Sequence, residues 1–378
     1  MEFPEIHWIA ESSVLHIQEV LNKKKILLVA SKKFSESEYF TKISLLLSDR
    51  ISCVKFKPQG LVSDTDFLEL YSSLRNFEFD SVLSIGGGST IDVGKLLSCF
   101  LHQANGFKLE SFLESKKFFE NDVPALPHFV IPTLAGSGSE MTPFAVLWDK
   151  RQAKKLSFCS LKMIPKTVFI MPELARSLSW SNVLYSGLDS FTHCFDSLWN
   201  KNTNSRVYEF ANGSILRTLH SLPILKDDLN DAASMRQMFE ASILAGKCIS
   251  HTQTSLCHSI SYPLTAKLGM PHGLACAFAV PEVLKLYGQN FEVIHQLSGD
   301  LGVVNATELA KLVASFYDKL EVAQHVLRFV KDRDQVMALN SEMIYAGRIE
   351  NFAESVNELQ VKNLMKSLFE SPPYRDLH

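Results

Sequence analysis

The chain has 378 residues, 46% of them hydrophobic and 21% charged, with a net charge of −3, room for about two domains of the usual ~100–200 residues and for a large core, which excludes a disordered chain. Lys and Arg are scattered along it, which argues against a nucleic acid or an anionic membrane as partner. Seven cysteines (Cys53, Cys99, Cys159, Cys194, Cys248, Cys257 and Cys276) form no CxxC pair, pointing to reduced thiols in a cytosol rather than a disulfide framework or a thiolate zinc site.

In chain order, the opening MEFPEIHWIAESS carries no charged-then-apolar signal pattern, and no later apolar run reaches the ~20 residues of a bilayer span. Lys25–Ser31, Ser52–Lys57, Ser81–Ile85, Phe129–Thr133 and Thr167–Met171 are short β-rich runs that each fit a buried strand. Between them, Asp64–Phe77 and Thr90–Leu101 carry apolar residues at helical spacing. Strand, helix, strand order predicts a mostly parallel, doubly wound α/β sheet with helices on both faces. Phe144–Asp149 and Lys155–Ser160 read as a hairpin beside it, turned by the charged Lys150–Ala153. After Pro172 the β-rich runs almost vanish, and Asn182–Leu198, Val207–Leu219, Ala232–Cys248, Leu309–Val330 and Asp332–Ala346 read as helices. The predicted organisation is an α/β domain over 1–175 followed by an all-helical domain over 176–378.

Three stretches carry chemistry. GGGSTIDVGK, Gly86 to Lys95, follows a predicted strand and opens a helical pattern, so its glycines allow close backbone approach and the first helical amides can hold a phosphate. Asp92 and Lys95, one turn apart, either pair on the helix surface or face a ligand. PTLAGSGSE, Pro132 to Glu140, also ends a strand, and ligands of open α/β sheets bind at the strands' carboxyl ends. In GLDSFTHCFDSLWN, Asp189 and His193 share one helix face, while CHSISYPLTAKLGMPHG carries His258 and His272. One carboxylate and three imidazoles suit a borderline divalent cation, Fe2+ or Zn2+; taken singly, each also fits a hydrogen-bonded core or surface group. A helix beginning near His258 is expected to break at Pro263, with His272 in a Pro–His–Gly turn.

On these residues the chain resembles the iron-containing alcohol dehydrogenase family. Its GGGSxxDxxK turn, PTxAGTGSE-like loop, DxxxH pair and HxxxHPLGxxxxxPHG segment stand here in the same order, as Gly86–Lys95, Pro132–Glu140, Asp189–His193 and His258–Gly273. The resemblance implies a dinucleotide-binding domain, then a helical metal-binding domain of dehydroquinate-synthase-like arrangement, with the active site in the cleft between them. It implies Asp189, His193, His258 and His272 as ligands of Fe2+, with Zn2+ the alternative. It places NAD or NADP against Gly87, Gly88, Ser89 and Asp92 of the turn, Thr133, Leu134 and Ser137 of the second loop, and Val146 and Lys155 of the hairpin. The implied reaction is hydride transfer between NAD(P)(H) and a small primary alcohol or aldehyde, in a cytoplasmic homodimer.

The departures are informative. Tyr262 stands where many members have a second histidine one turn after the third ligand, so the proton is expected to leave through water, ribose hydroxyls, Tyr262 or His251. Asp196 stands where Glu is usual, and Ser31, flanked by Lys32 and Lys33, stands where NAD-preferring members often place Asp. FDSLWNKNTN and HSISYPLT are similar to segments of the phosphonoacetaldehyde reductase branch, for which Lys201 or Arg206 either faces an anionic substrate or lies on ordinary surface. The alternative on this fold is a dehydroquinate-synthase-like lyase, against which Lys95 replaces the Gly–Phe continuation of that turn.

Overall fold

Six parallel strands form one sheet in the order β1-β8-β5-β4-β2-β3. They are β1 (Glu5–Trp8), β2 (Ile26–Ser31), β3 (Ile51–Phe56), β4 (Ser81–Gly86), β5 (His128–Pro132) and β8 (Thr167–Ile170), while β6 (Phe144–Asp149) and β7 (Lys154–Cys159) form a separate antiparallel hairpin. The computed structural model describes residues 2–10, 13, 15–21, 25–47, 51–56, 62–101, 124–149, 154–375 and 377. The predicted hairpin turn Lys150–Ala153 lies outside the described residues. Two compact units divide the chain, Met1–Ser177 and Leu178–His378.

In the first unit the alternation along β2 sorts its side chains between two cores. Leu27 and Val29 join Phe67, Val82, Leu96 and Phe100 on one face, and Ile26, Leu28 and Ala30 join Ile17, Ile43, Leu83 and Phe129 on the other. Both faces are therefore covered, as a parallel sheet requires. From β2 the chain passes outward to β3, whereas from β4 it passes the other way to β5. The strand order reverses between β2 and β4, and a ligand crevice is expected beyond their carboxyl ends. The missed strand is β1, whose EIHW run pairs with β8 in the register Glu5↔Thr167. Four residues at a sheet edge with an exposed first position leave little hydrophobic signal to read.

The second unit is helical. Its first helix, Trp180–Leu198, is capped by the Ser179 side chain, which accepts from the Asn182 amide. Ser205–Asp227 and Ala232–Thr252 follow, both longer than their apolar periodicity predicts. The helix that bears His258, Leu256–Leu268, runs through Pro263 instead of breaking there and stops at Gly269, whose φ is +67°. Ten buried residues hold this helix, so packing outweighs the one lost backbone bond. The expected helix Leu309–Val330 is divided: Ala306–Lys319 ends near Glu321, which has φ +58°, and Val322–Val326 restarts. Asp332–Ala346 likewise resolves into Arg333–Met337 and a 3-10 turn at Asn340–Met343. Among the described residues no helix is long and apolar enough to cross a membrane.

Candidate metal centre and dinucleotide loops

The helix Trp180–Leu198 brings Asp189 and His193 to one face, four residues apart. His193 Nε2 lies 3.6 Å from Asp189 Oδ1, and His258 Nε2 lies 3.6 Å from the same oxygen. The His193 and His258 rings stack with centroids 4.8 Å apart, and His272 meets His258 edge-on at 5.4 Å. Asp189, His193 and His258 therefore meet at one carboxylate oxygen and His272 touches His258, while His193 stands outside the set whose donor atoms all lie within 4.8 Å of one another. Both 3.6 Å separations are too long for hydrogen bonds, yet two N/O ligands about 2.1 Å from one tetrahedral ion sit roughly 3.4 Å apart. Asp189 Oδ1 and His258 Nε2 are buried without hydrogen-bond partners, the condition of donor atoms shaped to receive a cation. Burial alone would raise the Asp189 carboxyl, but His193, His258 and His272 hold it below its ordinary value.

A further donor joins three of them, Asp189, His258 and His272. Donor atoms of Asp189, His258, His272 and Cys276 all lie within 4.8 Å of one another, and Cys276 Sγ is 3.7 Å from His272 Nδ1. The cysteine pattern did not predict a thiol here, because no CxxC pair marks it. The available signal is the four-residue spacing from His272 along one helix. His272 opens the helix His272–Ala277 instead of sitting in a turn, and a Cβ on Gly273 would stand 1.9 Å from the Tyr185 carbonyl oxygen and 2.9 Å from Asp189 Cβ. Only glycine lets the His272 helix rest directly on the Asp189 helix.

Asp196 organises the centre from behind. Its Oδ2 accepts from His258 Nδ1 at 2.7 Å and from the Ser255 amide at 2.8 Å, and its Oδ1 accepts from the Cys257 amide at 3.1 Å and Trp199 Nε1 at 3.0 Å. The carboxylate thus caps the amino end of helix Leu256–Leu268 and places the proton on His258 Nδ1, turning Nε2 toward the cluster. Burial works against ionisation of Asp196, but His258 and these donors hold its pKa below the usual range. Burial likewise disfavours a charged His258 ring, yet Cys276, Asp189 and Asp196 keep its pKa well above the ordinary value.

Tyr262 follows His258 by one turn, and its ring lies nearly parallel to His272 with centroids 6.3 Å apart. Its Oη accepts a hydrogen bond from Arg348 Nε at 3.1 Å, and Arg348 Nη1 donates to Gln253 Oε1 at 2.9 Å. Gln253 has φ +62° and ψ 179°, a region almost confined to glycine that costs about 1–3 kcal/mol. His251 stacks on Phe210. Lys201 and Arg206 are exposed, and the Arg206 guanidinium lies 5.7 Å from the centroid of the Phe210 ring.

In the first unit, Gly87 caps helix Gly88–Phe100 without a side-chain hydrogen bond, leaving its leading amides available to an anion. The Thr133 amide donates to the Gly86 carbonyl at 3.1 Å, and a Cβ on Gly88 would approach Ser137 Oγ to 2.7 Å. The two loops thus touch at a point with no room for a side chain. Ser89 is exposed, and Thr133, Leu134 and Ser137 are half-buried. Val146 and Lys155 lie on the hairpin, across from Ser157 and Trp148. Asp92 accepts from Ser139 Oγ at 2.5 Å and from the Val146 amide at 3.1 Å, so it ties turn, second loop and hairpin together. Lys95 is not on the helix surface: it is fully buried, donates to Thr142 Oγ1 and the Phe144 carbonyl, and burial pushes its pKa down to about 8. Ser31 caps a short helix, accepting from the Phe34 amide, and Lys33 Nζ reaches the Ser177 carbonyl.

Comparison with known proteins agrees with this architecture. Residues 4–172 match the family model described as iron-containing alcohol dehydrogenase, and residues 183–369 match the C-terminal model of the same family. A phosphonoacetaldehyde reductase of Streptomyces viridochromogenes is 29% identical over 218 residues, covering 57% of this chain and 55% of that protein. The chain spans about half the length of the first curated relatives it matches. An iron-containing alcohol dehydrogenase from Thermococcus thioreducens superposes with TM-score 0.85 at 21% identity, covering 99% of this chain and 98% of that one. A sulfoacetaldehyde reductase from Bifidobacterium kashiwanohense, solved with NAD+, gives TM-score 0.83 at 20% identity over 97% and 96%. With both halves matched by its models and the fold shared along nearly the whole length, the chain belongs to the iron-containing alcohol dehydrogenase family.

Proposed function

We propose that this protein catalyses reversible hydride transfer between NAD(H) or NADP(H) and a small primary alcohol or aldehyde, with Fe2+ or Zn2+ held by Asp189, His193, His258 and His272. The observation that carries this reading is the pair of partnerless buried atoms, Asp189 Oδ1 and His258 Nε2, set 3.6 Å apart among two further imidazoles. When bound, the metal supplies a Lewis acid for the substrate oxygen and the nicotinamide supplies or accepts the hydride.

The protein's own residues do the rest. Asp196 fixes the tautomer of His258 through the 2.7 Å bond to Nδ1. The amides that open helix Gly88–Phe100 bind the dinucleotide phosphates, and the bare Gly88–Ser137 contact lets the backbone approach them closely. Asp92 keeps Ser139 and Val146 in register with that turn. Tyr262 is proposed to hold or pass the substrate proton at its Oη, oriented by Arg348. Ser31 lacks the carboxylate that would repel a 2′-phosphate, which supports acceptance of NADPH as well as NADH. Similarity to a protein named phosphonoacetaldehyde reductase supports a short anionic aldehyde as a refinement.

The test is a panel of alcohols and aldehydes assayed with both cofactors after reconstitution with Fe2+ or Zn2+. Asp189→Ala and His272→Ala should each lose metal and turnover together while circular dichroism stays unchanged. Full metal stoichiometry in either variant would overturn the ligand assignment. Ser31→Asp should shift the NADPH/NADH ratio toward NADH.

A further inference from the structure

Two helices of the second unit each present a pair of metal-binding side chains four residues apart. Trp180–Leu198 carries Asp189 and His193, and His272–Ala277 carries His272 and Cys276. Side chains at that spacing share one helix face, so the helix that brings His272 against His258 brings Cys276 to the same place. Cys276 is fully buried and forms no disulfide. Its Sγ lies 3.7 Å from His272 Nδ1 and 3.7 Å from His272 Nε2. A thiol has one proton to donate, and this position singles out neither nitrogen to receive it. Sulfur and nitrogen ligands at about 2.3 and 2.1 Å from one tetrahedral ion stand roughly 3.6 Å apart, close to the separation found here.

The donor atoms of Asp189, His258, His272 and Cys276 form the set that lies mutually within 4.8 Å. Within it His258 is only 1% exposed, and its Nε2 has no hydrogen-bond partner; neither has the buried Asp189 Oδ1. The thiol therefore stands beside two donor atoms that nothing in the protein satisfies. Cys194 and Cys257 are as deeply buried and adjoin His193 and His258 in sequence. Neighbouring positions on a helix do not face each other, and neither thiol belongs to the set.

We propose that Cys276 joins Asp189, His258 and His272 as a thiolate ligand of the ion and biases the centre toward Zn2+ over Fe2+. Thiolate is a soft ligand that suits Zn2+, whereas carboxylate and imidazole alone leave the choice more open. The thiol proton leaves to solvent as the ion binds. This rests on the metal-centre reading above and adds a ligand that decides between its two metals.

The experiment exchanges the metal of the full chain for Co2+ under reducing conditions and reads the absorption spectrum. The wild type should show a sulfur-to-cobalt charge-transfer band in the near ultraviolet beside the visible ligand-field bands. Cys276→Ala and Cys276→Ser should lose the charge-transfer band and keep bound Co2+, while Cys194→Ala and Cys257→Ala should keep both. Anaerobic chelator competition then gives the Zn2+/Fe2+ affinity ratio. That ratio should fall in both Cys276 variants by about 10-fold or more, the least that losing even an outer partner of a metal ligand costs. Should the Cys276 variants not fold, a wild-type band that persists in Cys194→Ala and Cys257→Ala carries the assignment. Wild-type protein that binds Co2+ without the charge-transfer band overturns the thiolate ligand and leaves the metal centre standing. A band that survives in both Cys276 variants, or an unchanged Zn2+/Fe2+ ratio in them, also overturns it. Wild-type protein that takes up no Co2+ overturns the thiolate ligand and the metal-centre reading together.

Discussion

Asp196 uses both carboxylate oxygens as acceptors, for two backbone amides, an indole and the His258 ring among others. Asp196→Asn would turn an amide N–H2 toward donors on one side, so His258 would lose its fixed orientation. Affinity for Zn2+ or Co2+, measured by chelator competition, should drop about 10–100-fold with the helix content retained. A second residue sets a pH response in the other unit. His128, buried in β5 and bonded to Ser84 Oγ at 2.8 Å, has its pKa pushed down to about 3 by burial and then by Lys95. The unfolded chain takes up this proton near pH 6.5, while the folded chain does so only near 3, so stability should fall as pH drops through that window. His128→Gln, which does not titrate, should flatten this acid limb in urea titrations at pH 7, 5.5 and 4.5. The spacing of Asp189 and His193 was legible because both sit on one helix. The hub role of Asp196 was not, since Ser255, Cys257 and His258 lie on another element and only folding brings them to it, and Cys276 was marked only by its four-residue spacing from His272.

Helix contact fixes the next level. Gly273→Ala would drive a Cβ to 1.9 Å from the Tyr185 carbonyl oxygen, and backbone cannot yield as a flexible side chain does. The variant should lose about 3 kcal/mol or more of stability by denaturant titration and bind metal poorly even where it folds. Gly88→Ala meets Ser137 Oγ at 2.7 Å instead, a side-chain clash that a second change can relieve. Dinucleotide affinity should fall at least about 10-fold in Gly88→Ala and recover in part in Gly88→Ala/Ser137→Gly, by fluorescence titration. Strands β2, β4, β5 and β8 were legible because each is a short apolar run buried on both faces. The break at Glu321 was not, since apolar residues at helical spacing continue on both sides of it and only the backbone angle shows the reversal. Pro263 misled in the other direction, because a proline's local penalty says nothing of the ten buried residues that hold its helix together.

At the scale of the whole chain there are two compact units, and a ligand that binds only the folded form of one should stabilise that unit. Metal at about 100 times its dissociation constant contributes roughly 2.7 kcal/mol. Removal with dipicolinate should therefore lower the melting temperature by several degrees, and Zn2+ in excess should restore it, followed by scanning calorimetry. In Asp189→Ala the same additions should move nothing. The sheet of the first unit has its own timetable. Among the described residues strand β1 borders only β8, so residues Glu5–Trp8 leave the ribosome long before Thr167–Ile170 exists to receive them. At ~5–20 residues per second the wait is on the order of ten seconds, during which the leading segment has no neighbour in its own sheet. Nascent chains halted before Thr167 should expose that segment to protease, and chains released past Ile170 should protect it.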